Sequence, residues 1–372
     1  MDIQVGRFRE TLALLKPAVA RKSTIKSLGS ILLKDGQAVA TNLETMVITA
    51  MPEADLTTLV PFKDMLKVIE FVPAQVLLHI ESEPGKLSLS WPDGSATFPV
   101  EDPGTFPDVP KFVPAVEDSL NTDILIPALV AVLPYAATEE ERAVLHGVTL
   151  ILGDPVEVAA GDGFRMADQV LPLSFPKNIT TIVPYSSVSV LKHLWEKTPR
   201  TPPKSDSLIP VLTAGKNAKV GYDGKTGLRF QFGDNTTAII HLVSGKPPDW
   251  LKLLPKGEPV LKVQFMAPAL ALAVRRVMGV ALEQSSIVRL SFTDGTADIS
   301  AKADGHGVQS SFKTLSSEGT PNRFALNVSY LLHYLRDKPG IVTISWTGGS
   351  APIALYVPGE PRVLIMPMTT KW

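Results

Sequence analysis

Six histidines, His79, His146, His193, His241, His306 and His333, are the first residues to weigh for chemistry. No two of them stand at the short helical or hairpin separations that bring imidazoles onto one metal, so solvated or packed histidines are expected. The segment Gly161-Asp162-Gly163-Phe164-Arg165-Met166 follows an apolar strand and looks like the opening of a dinucleotide-binding turn. It lacks the third glycine, and Pro172 stops any helix that should follow and carry a phosphate on its N-terminus. Glu139-Glu140-Glu141-Arg142 reads as a solvated face at a helix start rather than an acid/base cluster. Asn178-Ile179-Thr180 and Asn235-Thr236-Thr237 match glycosylation sequons, which matter only in a secreted chain. The sequence has no cysteine, which removes disulfides, thiolate-held zinc and thiol nucleophiles together. The expectation is a protein that is not an enzyme, with no catalytic residue, no metal and no cofactor.

The elements that would position any site form a pattern that appears three times. Each copy has an alternating apolar segment, a tight turn, a second alternating segment and a small Asp- or Asn-containing turn. The copies are Ile31 to Asn42, Val148 to Gly163 and Val288 to Gly305. A period above 100 residues is too long for a solenoid unit and implies three related domains in one chain. In the first, helices are expected at Arg7 to Val19 and Pro61 to Phe71. Two strands over Leu28 to Ala50 turn at Asp35-Gly36, and three more follow at Val76 to Glu81, Leu87 to Trp91 and Ala96 to Val100. The second repeats this order with helices at Ile126 to Ala137 and Pro184 to Lys197, and the third with helices at Pro268 to Val280 and Val328 to Arg336. The third also has a hairpin centred on Asp294-Gly295. Helices alternating with antiparallel strands make an α+β class. The boundaries expected are 1-118, 119-246 and 257-372, with a Pro-rich insertion at Lys197 to Pro210 as a long exposed loop.

Composition limits the partners. The 372 residues are 45% apolar and carry 36 basic against 37 acidic side chains, a net charge of −1. That is enough apolar content for two or three cores, and it argues against a generic nucleic-acid-coating protein unless the basic residues are gathered on one surface. The start, Met1 to Val5, has no signal-peptide character, and the longest apolar run, Ile124 to Ala137, is broken by Pro127 and Pro134. A cytoplasmic protein without membrane contact is expected.

Several motifs, in order and spacing, resemble the bacterial DNA polymerase sliding clamp, the beta subunit of the replicative polymerase. They are Leu28-Gly29-Ser30-Ile31-Leu32, Ala160 to Ala167, Ile182-Val183-Pro184, His241 to Trp250 with Leu254-Pro255, Asn327 to Leu332, and Val363 to Met368. The likeness spans the chain. It implies a head-to-tail homodimeric ring of repeated clamp domains, each with two helices against antiparallel sheets, that encircles duplex DNA without sequence preference. Such a ring tethers the polymerase catalytic subunit and is opened by a clamp loader. The resemblance implies DNA-facing cations at Arg7, Arg21, Lys22, Lys63, Lys67, Lys192, Lys197, Arg275, Arg276 and Arg336, with Arg9 and Lys16 on the same helices.

It also implies a peptide pocket walled by Arg142, Leu145, Gly163, Phe164, Arg165, Met166, Pro248, Lys252, Leu253, Asn327, Tyr330, Pro352, Leu364, Ile365, Met366, Pro367 and Met368. The chain departs from the family pattern at Gly161, Phe164, Lys252 and Ser285 and in the tail Thr369 to Trp372, which bears on partner preference. Ring closure is expected to use the strand Ala96 to Val100 and the helix end Met278 to Leu282. The alternative is a clamp-fold peptide-binding scaffold that no longer encircles DNA.

Overall fold

The computed structural model describes residues 1–199, 215–225, 227–293, 295–320 and 323–370. The Pro-rich insertion beyond residue 199, the hairpin position Asp294 and the terminal Lys371 and Trp372 lie outside the described residues. Within them the chain forms two compact units. Unit 1 holds Met1–Val130, Gly147–Val156 and Leu171–Gly245, and unit 2 holds Ala131–His146, Glu157–Val170 and Lys246–Trp372.

Six α-helices are described, two for each third of the sequence. They are α1 (Val5–Leu15), α2 (Phe62–Ile69), α3 (Thr122–Val132), α4 (Tyr185–Lys197), α5 (Ala267–Gln284) and α6 (Val328–Leu335). Their starts follow local chemistry. Pro61 and Pro184, extended and without an N–H to leave unpaired, sit at the N-caps of α2 and α4. The side-chain oxygen of Asn327 accepts from the N–H groups of Ser329 and Tyr330 and caps α6. Spacing decides which face is buried: in α1, Val5, Phe8, Leu12 and Leu15 recur every three or four residues and all are fully buried. Each such side chain contributes about 1.5–3 kcal/mol by leaving water.

In unit 1 the main sheet runs in the order Thr58–Pro61, Ser30–Lys34, Gln37–Thr41, Thr45–Ala50, Thr236–His241, Gly227–Phe232, Asn217–Tyr222, Val116–Asn121. Strands from the first third therefore continue directly into strands from the middle third, with Thr45–Ala50 antiparallel to Thr236–His241. A second sheet of this unit orders Asp2–Gln4, Leu77–Glu83, Lys86–Trp91 and Gly94–Pro99, the last of these at its edge. In unit 2 the order is Val156–Gly161, Arg165–Leu171, Arg362–Ile365, Ile353–Tyr356, Ile341–Trp346, Leu261–Met266, Ser316–Gly319. Here too a middle-third strand, Arg165–Leu171, pairs with one from the last third, Arg362–Ile365. A four-stranded sheet, His306–Lys313, Thr296–Ala303, Ile287–Thr293 and Arg323–Asn327, completes it, with α5 lying on it. Compactness thus cuts across the thirds of the sequence because two of these sheets do.

The α+β class holds, and strand pairing among the described residues is antiparallel. The first third has more strands than expected, among them Asp2–Gln4 and Thr58–Pro61. Leu28 to Ala50 forms three strands, Ser30–Lys34, Gln37–Thr41 and Thr45–Ala50, where two were predicted. The first turn is the expected Asp35-Gly36 pair, both at positive φ (49° and 71°). The second turn is at Asn42-Leu43-Glu44, where Leu43 takes the positive φ of 75° usually left to glycine.

Candidate peptide slot and basic surface

The slot is built on one antiparallel pair. Met166 stands directly opposite Leu364 across the ladder, so both side chains emerge on the same face. Leu364 is flanked in sequence by Ile365, which points to the other face and is fully buried. Ahead of Met166 the chain turns at Asp162-Gly163-Phe164. Asp162 Oδ1 accepts from the N–H groups of Phe164 (2.9 Å) and Arg165 (3.0 Å), and Gly163 takes a φ of 96°. The turn leaves the Phe164 ring 56% exposed at the rim. A cavity of about 180 Å³ results, lined by Gly163, Phe164, Arg165, Met166, Trp250, Leu253, Pro352, Leu364 and Met366. Every lining side chain but Arg165 is apolar, so the slot suits a buried Leu- or Phe-sized anchor.

Arg165 is tied down on all sides. Its Nε donates to Asp162 Oδ2 (2.9 Å), its Nη2 to the Pro134 carbonyl (3.3 Å) and its Nη1 faces His333 Nδ1. Its guanidinium also lies 5.3 Å from the ring centroid of Tyr135 and 4.7 Å from that of Tyr330. Burial first, and then the neighbouring Arg165 and Arg336, hold the His333 imidazole below its ordinary pKa. Burial pushes the Tyr135 phenol up to about 12. The charge is therefore used to stiffen the rim.

Eight residues predicted for the pocket line this cavity, and the others surround it in different ways. Leu145 packs against the cluster of Ala159, Met166, Trp250, Ala354 and Leu364 beneath the slot. Arg142 donates to the Asp162 carbonyl (3.2 Å), and Pro248 accepts from the Trp250 N–H. Asn327 is the α6 cap, and Tyr330 stacks on Arg165. Two predicted wall residues do not line this cavity. Ile365 is on the opposite face for the reason of alternation given above, and Lys252 is turned outward to an ion pair with Asp249 at 2.9 Å. Pro367 and Met368 line a neighbouring cavity of about 410 Å³, which shares Met366 with the slot and also has Trp346 and Phe324 in its wall. The wall residue that sequence reasoning missed is Trp250, held in a short 3-10 turn (Trp250–Lys252) and 7% exposed.

The same backbone arrangement occurs in unit 1. Asn42 Oδ1 accepts from Glu44 N–H (3.1 Å) and Thr45 N–H (2.7 Å), as Asp162 does for Phe164 and Arg165. The His241 N–H donates to the Glu44 carbonyl (2.8 Å), as the Met366 N–H donates to that of Phe164 (2.9 Å). Val243 N–H donates to Ile182 O (3.0 Å), as Met368 N–H does to Ala325 O (2.8 Å). In unit 1, however, the joint is closed by hydroxyls: Thr45 Oγ1 donates to Ser187 Oγ (2.6 Å), Asn42 Nδ2 to Ser186 Oγ (3.2 Å) and Ser186 Oγ to Glu44.

The ten predicted DNA-facing cations are all exposed. In unit 1, Arg7 is on α1, Lys63 and Lys67 on α2, and Lys192 and Lys197 on α4, with Arg21 and Lys22 in the segment after α1. In unit 2, Arg275 and Arg276 are on α5 and Arg336 follows α6. Three of them already hold carboxylates: Arg7 with Glu53 (2.5 Å), Lys67 with Asp64 (2.8 Å) and Lys192 with Glu196 (3.8 Å). Arg9 is turned inward, where its guanidinium donates to the carbonyls of Ile69 and Val72 at the end of α2. Among the described residues no group of three or more His, Asp or Glu side chains could hold a metal ion, and no helix is long and apolar enough to cross a membrane.

No family model matches the chain. The solved DNA polymerase III beta subunit of Thermotoga maritima superposes with a TM-score of 0.84 over 100% of this chain and 99% of that one, at 18% identity. The fold is that of the bacterial beta sliding clamps. The beta subunit of Pseudomonas aeruginosa gives a TM-score of 0.85 at 20% identity, again over 100% and 99% of the two chains. A P. aeruginosa sliding clamp solved bound to griselimycin gives 0.82 at 21%, with the same coverage. In sequence, the beta sliding clamp homolog GriR of Streptomyces muensis is 24% identical over 317 residues, 80% of this chain and 75% of that protein. The clamp fold thus accounts for the threefold pattern and for the recurrence of one turn geometry in both units.

Proposed function

We propose that this chain is a DNA sliding clamp, a non-catalytic processivity factor that closes as a head-to-tail homodimer around duplex DNA. It tethers a polymerase and other partners by a short peptide inserted in the slot. The observation that carries the reading is the slot itself: eight residues expected from sequence converge on one apolar cavity whose rim is fixed by Asp162 and Arg165. One such anchor buries about 1.5–3 kcal/mol, so two anchors with backbone hydrogen bonds suit a micromolar, exchangeable tether. Partners could then take turns on one site. Exposed cations on α1, α2, α4 and α5 supply sequence-independent attraction to phosphates, weakened by salt. The sheet edge Gly94–Pro99 supports closure by strand pairing with a second copy, although Phe98 is itself buried.

A second reading has its own observation. Ion pairs hold Arg7, Lys67 and Lys192, and Arg9 is used internally, which lowers the free positive charge on those helices and fits a scaffold that binds peptides without encircling DNA. Retention on DNA with a clamp loader separates the two. A clamp stays on nicked circles and runs off linear ends, whereas a scaffold sediments as a monomer and is retained on neither.

A further inference from the structure

The floor of the slot depends on a pair of residues that are far apart in the chain. Gly161 closes the strand Val156–Gly161, and the six-membered ring of Trp250 reaches the space that a side chain there would take. A Cβ at position 161 would stand 2.8 and 2.9 Å from two ring carbons of Trp250, closer than carbon atoms pack. It would also stand 3.0 Å from the Arg165 carbonyl, which accepts the Asp162 N–H (3.1 Å) and so holds the turn at the rim. The φ at Gly161 is unexceptional, so the glycine is there for space and not for backbone freedom. Ala159 and Ala354 are small on the same cluster. The indole therefore occupies volume that a side chain at 161 would otherwise fill, and it presents its remaining surface to the cavity.

We propose that Gly161 and Trp250 act together as the specificity determinant of the slot, setting its depth and hence the size of the apolar peptide anchor it accepts. The inference rests on the peptide-tethering reading, and it makes one prediction that is independent of that reading. Introducing a branched side chain by Gly161→Thr must displace the ring and disturb the turn. Removing the indole at the same time must reopen the slot with a different shape.

The test uses the full chain and two readouts. The first is the emission of Trp250, isolated as the difference between the protein and its Trp250→Phe variant, in each case with acrylamide quenching. Trp250 should be blue-shifted and shielded in the native chain and red-shifted and accessible in Gly161→Thr; an unchanged spectrum would overturn the proposal. The second is fluorescence polarisation with fluorescein-labelled pentapeptides carrying two apolar anchors, the inner one Ala, Leu or Phe. Gly161→Thr should weaken the Leu and Phe peptides by about tenfold or more, the loss of one buried anchor, while sparing the Ala peptide. The double variant Gly161→Thr/Trp250→Leu should regain binding with a changed order of preference among the three. Equal affinities in all three proteins would sink the specificity role. If the native chain binds none of the peptides while the emission shift still appears, the peptide-tethering reading fails and the Gly161–Trp250 packing stands without a specificity role.

Discussion

The turn at Asn42-Leu43-Glu44 in unit 1 and the turn at Asp162-Gly163-Phe164 in unit 2 share a side-chain cap, a positive φ at the middle residue and one backbone latch from the end of a later strand. They differ in what is hung on that frame. In unit 1 buried or half-buried hydroxyls from Thr45, Ser186 and Ser187 seal the joint. In unit 2 the position of Thr45 is taken by Arg165, which is drawn away to Asp162 and His333 and leaves an apolar hollow behind. The lesson is that one backbone solution serves as a closed structural seam or leaves an open apolar slot, depending on whether its side chains satisfy each other or leave a gap.

The largest effect that can sharpen this contrast is truncation of the aromatic in each cluster. Phe106 in unit 1 packs with Leu32, Val39, Met46 and Leu59, as Trp250 packs in unit 2. Phe106→Ala and Trp250→Ala should each cost about 3–5 kcal/mol in denaturant unfolding, and Trp250→Ala alone should alter peptide binding. Comparable changes in peptide affinity from both would break the distinction between seam and slot.

Next in size, Thr45→Ala leaves Ser187 Oγ, fully buried, without its partner and should cost about 1–3 kcal/mol with no change in peptide affinity. Asp162→Ala removes both turn bonds and the pairing to Arg165, so its stability loss should be similar but accompanied by weakened peptide binding. Exchanging the middle residues is a smaller test. Gly163→Leu places a side chain at positive φ and should cost about 1–2 kcal/mol, whereas Leu43→Gly should change the melting temperature little, because relief of φ strain offsets added chain entropy.

The smallest effect is acid sensitivity. His333 is kept neutral by burial and by Arg165 and Arg336, with Asp162 as an opposing neighbour. A base whose folded pKa is depressed gives its full stabilisation above its unfolded value near 6.5, and loses it as pH falls through the folded pKa. His333→Gln should therefore flatten the stability profile as pH falls below about 6.5, and a profile unchanged by the substitution would remove His333 from the rim.

Much of this was legible in the sequence. The helices could be read because apolar residues recur at helical spacing behind clear starts such as Pro61, Pro184 and Asn327. The hairpin at Asp35-Gly36 could be read from its turn residues. The third strand over Leu28 to Ala50 was hidden because Leu43 gives no turn signal. The pairing of strands from different thirds was hidden because partners such as Met46 and Ile239 are remote in sequence and carry no local mark. In the slot, the turn and the strand near the C-terminus were recognisable as motifs. Trp250 was missed because its role arises only when a distant glycine makes room for it, and Arg7 and Arg9, two residues apart on one helix, have opposite fates that charge cannot distinguish.

The ladder between Thr45–Ala50 and Thr236–His241 also governs where the protein can be cut. A fragment ending near residue 118 would present Thr45-Met46-Val47-Ile48-Thr49 as a naked, uncharged strand edge of high β propensity. Such a piece would recruit copies of itself into fibrillar or amorphous deposits rather than behave as a smaller soluble domain, and a protease nick in the chain between the partners should leave the halves clinging together.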